Sequence, residues 1–121
     1  MEQSDIVIFR DTLDLEEVQR IAEETFGEMA KAVIDIERQI VAVGGELHAD
    51  AEALLLEDGS KQADLWGINL FPKDSGTVHI EFLSLINIRP AAGNRTQEIA
   101  DKGIRDRITH IVTEMAEKGL S

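Results

Sequence analysis

Three short stretches hold most of the side chains able to do chemistry. In GGELHADAE, residues 44–52, a glycine pair precedes Glu46, His48 and Asp50 at alternate positions. A histidine among carboxylates can serve as a general base or hold a metal ion, so these three are the candidate catalytic residues. In GSKQADLWGIN, residues 59–69, the single tryptophan is followed by Gly67 and Asn69. An asparagine inside a strand is unfavourable by propensity and needs hydrogen-bond partners if buried. In INIRPAAGNR, residues 86–95, Asn87 and Arg89 are expected on one face of a strand that Pro90 stops, and a loop of small residues then delivers Asn94 and Arg95. Two guanidiniums brought together across a tight loop can grip one carboxylate or phosphate in bidentate fashion. Asn69, Asn87, Arg89, Asn94 and Arg95 are therefore the candidate ligand-binding residues, and a small anionic molecule is the expected ligand.

Each stretch also has a plainer structural explanation. Asp50 suits the N-cap of a helix, and a single histidine is more often a hydrogen-bonded structural residue than a ligand. Trp66 reads as core. Ser60 and Gln62 can satisfy the backbone after a turn at Gly59, and Arg89 and Arg95 can pair with the surplus acids of the chain. Residues 46–57 admit two periods. As a strand, they put His48, Asp50 and Glu52 on one face, with alternate residues about 7 Å apart. As a helix over 50–58, they make Asp50 the cap, put Glu52 in the first turn, follow with the strong helix formers ALLLE and close at Gly59, leaving Glu46 and His48 in the entering loop. The helix is the preferred reading.

The elements that must position these residues follow from local pattern. DIVIF at 5–9 reads as a strand. Asp14 with Glu17 forms a capping box for a helix over 14–28, whose apolar stripe runs through Leu15, Val18, Ala22, Phe26 and Met29. AVIDIERQIVAV at 32–43 reads as two antiparallel strands joined near Glu37 and Arg38. LWGINLF at 65–71 and TVHIEFLSLINIR at 77–89 form a hairpin across PKDSG, with the second strand expected to overrun the first. Asp101 caps a last helix with a stripe of Ile104, Ile108, Ile111, Val112 and Met115. The fold class is α+β: one mostly antiparallel sheet of four or five strands with two or three helices packed on it.

At 121 residues the chain reads as a single globular domain over 1–121, with 43% hydrophobic and 30% charged residues. Cysteine is absent, so a metal site would have to use His, Asp or Glu. A formal net charge of −12 argues against nucleic-acid or anionic-membrane partners, which require an excess of Lys and Arg. The charge is uneven, since residues 1–88 carry 6 basic and 19 acidic side chains whereas residues 89–121 carry 6 and 5. No apolar run approaches a membrane span, and MEQSDIVIF lacks the basic start and apolar stretch of a signal peptide, so a cytoplasmic location is the expectation.

GGELHADAEALLLEDGSKQ, DLWGINLFP and SLINIRPAAGNR together resemble the signature of a family of small prokaryotic proteins classed as a domain of unknown function. The resemblance covers about residues 31–100 and implies no activity, cofactor or catalytic residue. The sequence contains no P-loop, GxSxG turn or HExxH helix. Two functions from different classes remain: an enzyme or binder of a small anionic molecule, and a noncatalytic interaction module, expected as a homodimer through a sheet edge or a helix face. Convergence of the three stretches on one cleft would favour the first.

Overall fold

A computed structural model of the chain describes residues 6–120. Five strands, β1 (Val7–Phe9), β2 (Ala30–Asp35), β3 (Ile40–Val43), β4 (Leu65–Pro72) and β5 (Val78–Glu81), form one sheet in the order β1-β3-β2-β4-β5. Every neighbouring pair is antiparallel. Three helices, α1 (Leu15–Thr25), α2 (His48–Glu57) and α3 (Lys102–Gly119), complete the α+β fold.

The sheet is covered on both faces, which explains why its central strands are apolar at consecutive positions. Ala32 and Ile34 of β2, Val41 and Val43 of β3 and Trp66, Ile68 and Leu70 of β4 face α1 and α3. The intervening Val33, Ile40, Ala42 and Leu65 face Ala51 and Leu55 of α2. A four-residue strand such as IVAV, buried throughout, has no polar side to give water. α2 is thus the only helix on its side of the sheet among the described residues, and its face is where polar side chains enter the strands.

Turn chemistry sets the strand pairing. Asp35 Oδ1 accepts from the backbone N–H groups of Glu37 and Arg38, both at 2.9 Å, which folds the β2–β3 turn, and Gln39 takes a left-handed φ of 58° there. The 14–28 helix is capped by Asp14, which accepts from the Glu16 and Glu17 N–H groups, but Glu17 turns its carboxylate to Arg20 rather than closing a capping box, and the helix ends at Thr25. Phe26 is its C-cap residue and is 44% exposed, lying under the Lys31 ammonium, 5.4 Å from the ring centroid. The stripe that reaches the core is Leu15, Val18, Ile21 and Ala22, so the expectation that Phe26 belongs to it is corrected. Asp101 caps α3 through Gly103 and Ile104 N–H.

The largest departure concerns residues 82–89. The strand expected over 77–89 stops at Glu81, and the chain turns into short 3-10 segments at Leu85–Asn87 and Pro90–Ala92. Ser84 starts the first of them by accepting from Ile86 N–H. Asn87 and Arg89 therefore do not share a strand face. Residues 46–57 resolve as a helix, yet it begins at His48, with Leu47 as an N-cap that offers no side-chain acceptor. Asp50 sits in the first turn and caps nothing, because the helix starts two residues before it.

Burial ranks the two apolar residues on which the helices turn. Leu55 is fully buried under α2 whereas Phe26 is nearly half exposed. Leu55→Ala should cost about 2–5 kcal/mol in urea denaturation, and Phe26→Ala clearly less; equal losses would show that Phe26 is packed in the core.

Candidate functional site

On the α2 face, alternation along the strands aligns three polar residues in one cross-strand row. Lys31 of β2 is the register partner of Asn69 of β4, and Asn69 is the partner of Glu81 of β5. Such partners stand about 5 Å apart. The row floors a cleft of about 540 Å³ between the start of α2 and the chain after β5, with Leu47, His48 and Ala49 on one side and Leu83–Ile86 on the other. Leu47, Leu83 and Leu85 at its rim are 60%, 39% and 70% exposed. An apolar wall around a few fixed polar groups is the usual composition of a small-molecule site.

The floor is built but not closed. Asn69 is 6% exposed; its Nδ2 donates to Glu81 Oε1 at 2.8 Å and to the Leu83 carbonyl at 3.3 Å, and its Oδ1 is buried with no partner among the described residues. Buried polar atoms are nearly always paired, so this oxygen is an acceptor with capacity for a further donor. His48 stands beside it. Its Nε2 lies 2.8 Å from the Ile68 carbonyl, and since a carbonyl can only accept, Nε2 carries the proton and the neutral ring keeps its lone pair on Nδ1. Burial lowers the His48 pKa below its ordinary value, aided by the positive charge of Lys31 and opposed by the bond to Ile68 and by the neighbouring Asn69 side chain.

The glycine pair explains how His48 reaches this position. Gly44 and Gly45 both have positive φ, 127° and 82°, a conformation that side-chain-bearing residues rarely adopt. The chain leaves β3 through them and enters α2 within three further residues. At the other end of α2, Asp58 bridges Arg10 and Arg38 at 2.7 and 2.8 Å. The two guanidiniums hold its carboxyl down at about 2.

The remaining expected site residues stand elsewhere. Glu46 is exposed in the loop before α2, Asp50 is half-buried in the first turn, and neither lines the cleft. Asn87 is fully buried, and its side-chain amide pairs with both backbone groups of Gly67: Gly67 N–H donates to Oδ1 at 2.8 Å and Nδ2 donates to the Gly67 carbonyl at 2.9 Å. Asn94 Nδ2 donates to the carbonyls of Asn87, Thr96 and Glu98, and its Oδ1 accepts from Ala100 N–H. Arg89 donates to the Leu65 carbonyl, stacks 4.8 Å from the Trp66 ring centroid and lies 3.8 Å from Glu52. Burial pulls its pKa down, with Glu52 opposing. Arg95 is exposed and outside the cleft. Of the eight expected residues, His48 and Asn69 are brought together, while Asn87, Arg89 and Asn94 spend their polar groups on the scaffold behind them.

Lys31, Glu81, Ser84 and Gln97 also line the cleft, and no local sequence pattern marks them. Strand parity puts Lys31, Asn69 and Glu81 each on the α2 face, but only the register shows that they align. Among the described residues, no group of three or more His, Asp or Glu is arranged to hold a metal ion, and no helix is long and apolar enough to cross a membrane.

A family model described as "Protein of unknown function (DUF5674)" matches residues 7–115. The chain belongs to this family. The match takes in every strand and helix that builds the cleft, extending past the 31–100 stretch that carried the resemblance. No curated protein and no solved structure matches the chain. Membership of DUF5674 brings no activity with it.

Two consequences can be measured. Replacing Asn87 by Leu keeps the volume but orphans both Gly67 backbone groups, and should cost about 1–3 kcal/mol for each buried group left unpaired; a urea midpoint unchanged from wild type would remove Asn87 from this role. The His48 ring is held neutral in the folded chain where an exposed histidine would bind a proton. Its contribution is therefore complete above the ordinary value of 6.5 and declines as pH falls below it toward the lower folded value. Stability of His48→Gln, measured from about pH 7 to 5, should fall less steeply than that of wild type. Parallel profiles would contradict the shift.

Proposed function

We propose that the cleft between the start of α2 and residues 83–86 is a small-molecule binding site, with His48, Asn69, Glu81 and Lys31 as its polar contacts. The observation that carries this reading is the buried, unpartnered Oδ1 of Asn69 at the floor of an apolar-rimmed cleft. Leaving such an oxygen unpaired costs on the order of 1–3 kcal/mol, which a ligand donor would recover. Of the candidate catalytic residues Glu46, His48 and Asp50, His48 is the one that lines the cleft, and its Nδ1 lone pair is suited to accept a hydrogen bond or a proton. The 86–95 stretch supports the site from behind, through Asn87 and Asn94. Arg89 and Arg95, on which an anion-only ligand would depend, are committed elsewhere or lie outside.

The second reading, a homodimer or other protein contact, has its own support in the exposed Leu47, Leu83 and Leu85, which border the same cleft. The two separate in one experiment. A fragment library titrated into isotope-labelled protein should shift the amide signals of Lys31, residues 47–49, Asn69 and residues 81–86, and Asn69→Leu should weaken the best fragment by about tenfold, the equivalent of one buried hydrogen bond. If those signals respond only to protein concentration, the interaction reading takes its place.

A further inference from the structure

The polar groups of the cleft are not of one kind, and their division indicates what kind of molecule would fit. Around Asn69, between β5 and the His48 ring, stand acceptors. Asn69 Oδ1 makes no hydrogen bond that meets ordinary geometry, Glu81 uses only Oε1 toward Asn69, and His48, bonded through Nε2 to Ile68, has the Asn69 side chain beside its ring. Three acceptors lining one cleft suit an ammonium group, which has three donors and no acceptor.

On the β2 side and at the mouth of α2 the sign reverses. Lys31 lines the cleft and makes no ion pair among the described residues; its ammonium rests over the Phe26 ring. α2, ten residues long, starts with no side-chain cap. The first-turn N–H groups of a helix, together with the positive end of its dipole, favour an anion when nothing else satisfies them. The first-turn residues Leu47, His48 and Ala49 are also the ones that line the cleft. The cation-favouring and anion-favouring ends face each other across a sheet row whose members are about 5 Å apart, and between and above them lie Leu83, Leu85 and Ile86.

We infer that the cleft takes an amphiphilic zwitterion of the α-amino acid class with an apolar side chain. Its ammonium sits among Asn69 Oδ1, Glu81 and His48 Nδ1, its carboxylate faces Lys31 and the open start of α2, and its side chain lies against Leu47, Leu83 and Leu85. The inference rests on the small-molecule reading of this cleft and sharpens it. A zwitterion also suits a strongly acidic chain better than an anion does, because it carries no net charge to be repelled at long range.

The test uses the full chain and four probes: L-leucine, 3-methylbutylamine, which lacks the carboxylate, 4-methylpentanoate, which lacks the ammonium, and glycine, which lacks the apolar body. Affinity is read from NMR titration and from the shift in melting temperature, since a ligand of the folded state raises it. L-leucine, with L-phenylalanine as a bulkier second choice, should bind at the cleft signals at least about tenfold more tightly than any of the three truncated probes, a difference worth one charge-assisted contact. Lys31→Met should then bring L-leucine down to the level of the amine, and Glu81→Gln should bring it down to the level of the acid. These opposite patterns would not come from general loosening of the fold, and circular dichroism of each variant checks that it is folded. If a truncated probe binds as tightly as the amino acids, or if neither amino acid binds, the zwitterion assignment fails. Should a fragment screen still map other molecules to the cleft, only the ligand class is overturned; should no molecule perturb it, the binding-site reading falls too.

Discussion

The side-chain amide of Asn87 acts as a substitute strand for β4, and the cleft depends on it. β4 pairs with β5 only from Asn69 onward, so on that side Gly67 would present an N–H and a carbonyl to a buried space with nothing to receive them. The Asn87 amide offers an acceptor and a donor in the same plane and satisfies both. Arg89 does the same for the Leu65 carbonyl one step further along. Because β4 is completed there by side chains rather than by backbone, the chain after β5 leaves the ladder and docks its 84–87 turn on the α2 face, and the cleft lies between that turn and the start of α2. Gly67 is the other half of this arrangement. A Cβ there would lie 2.4 Å from Ser84 Cβ, so only glycine lets the 84–87 turn dock so closely.

This dependence explains what could and could not be read from the sequence. The pattern of β-branched and apolar residues, the Asp14 and Asp101 caps and the PKDSG turn are local signals, and the elements they mark are present. TVHIEFLSLINIR carries the same β-rich composition to residue 89, yet it ceases to be a strand after Glu81. Propensity favoured the strand; the amide bonds of Asn87 to Gly67 and of Asn94 to four backbone groups outweighed it, and those bonds join residues 20 or fewer positions apart that no periodicity links. Asp50 failed as a cap for a related reason. The glycine pair delivers the chain onto the helix axis two residues early, where Leu47 can provide no cap.

At the site, the same distinction holds between residue type and register. His48 and Asn69 were recognisable as unusual polar residues amid apolar sequence, and they do meet. Arg89 and Arg95 bring local positive charge to an acidic chain, the sequence pattern of an anion site. Arg89 proves to be a cation spent on an aromatic face, a carbonyl and one carboxylate, the ordinary fate of a half-buried guanidinium. Lys31 and Glu81 carry no distinguishing signal in the sequence, and only the antiparallel register aligns them with Asn69.

The loop that launches α2 also touches the N-terminal strand. A side chain added at Gly45 would first meet Ile6, at 3.3 Å, and Ile6 and Ile8 pack against the same apolar cluster as Ala51 and Leu55. β1 is three residues long and paired on one side only, through β3, so among the strands it has the fewest ladder bonds to lose on opening. The residues around β1 therefore share an apolar cluster with α2 directly as well as through the central sheet. The helix that carries His48 thus rests on a cluster whose outer edge is the shortest strand of the fold, so its seat is built from the N-terminal segment as well as from the central strands.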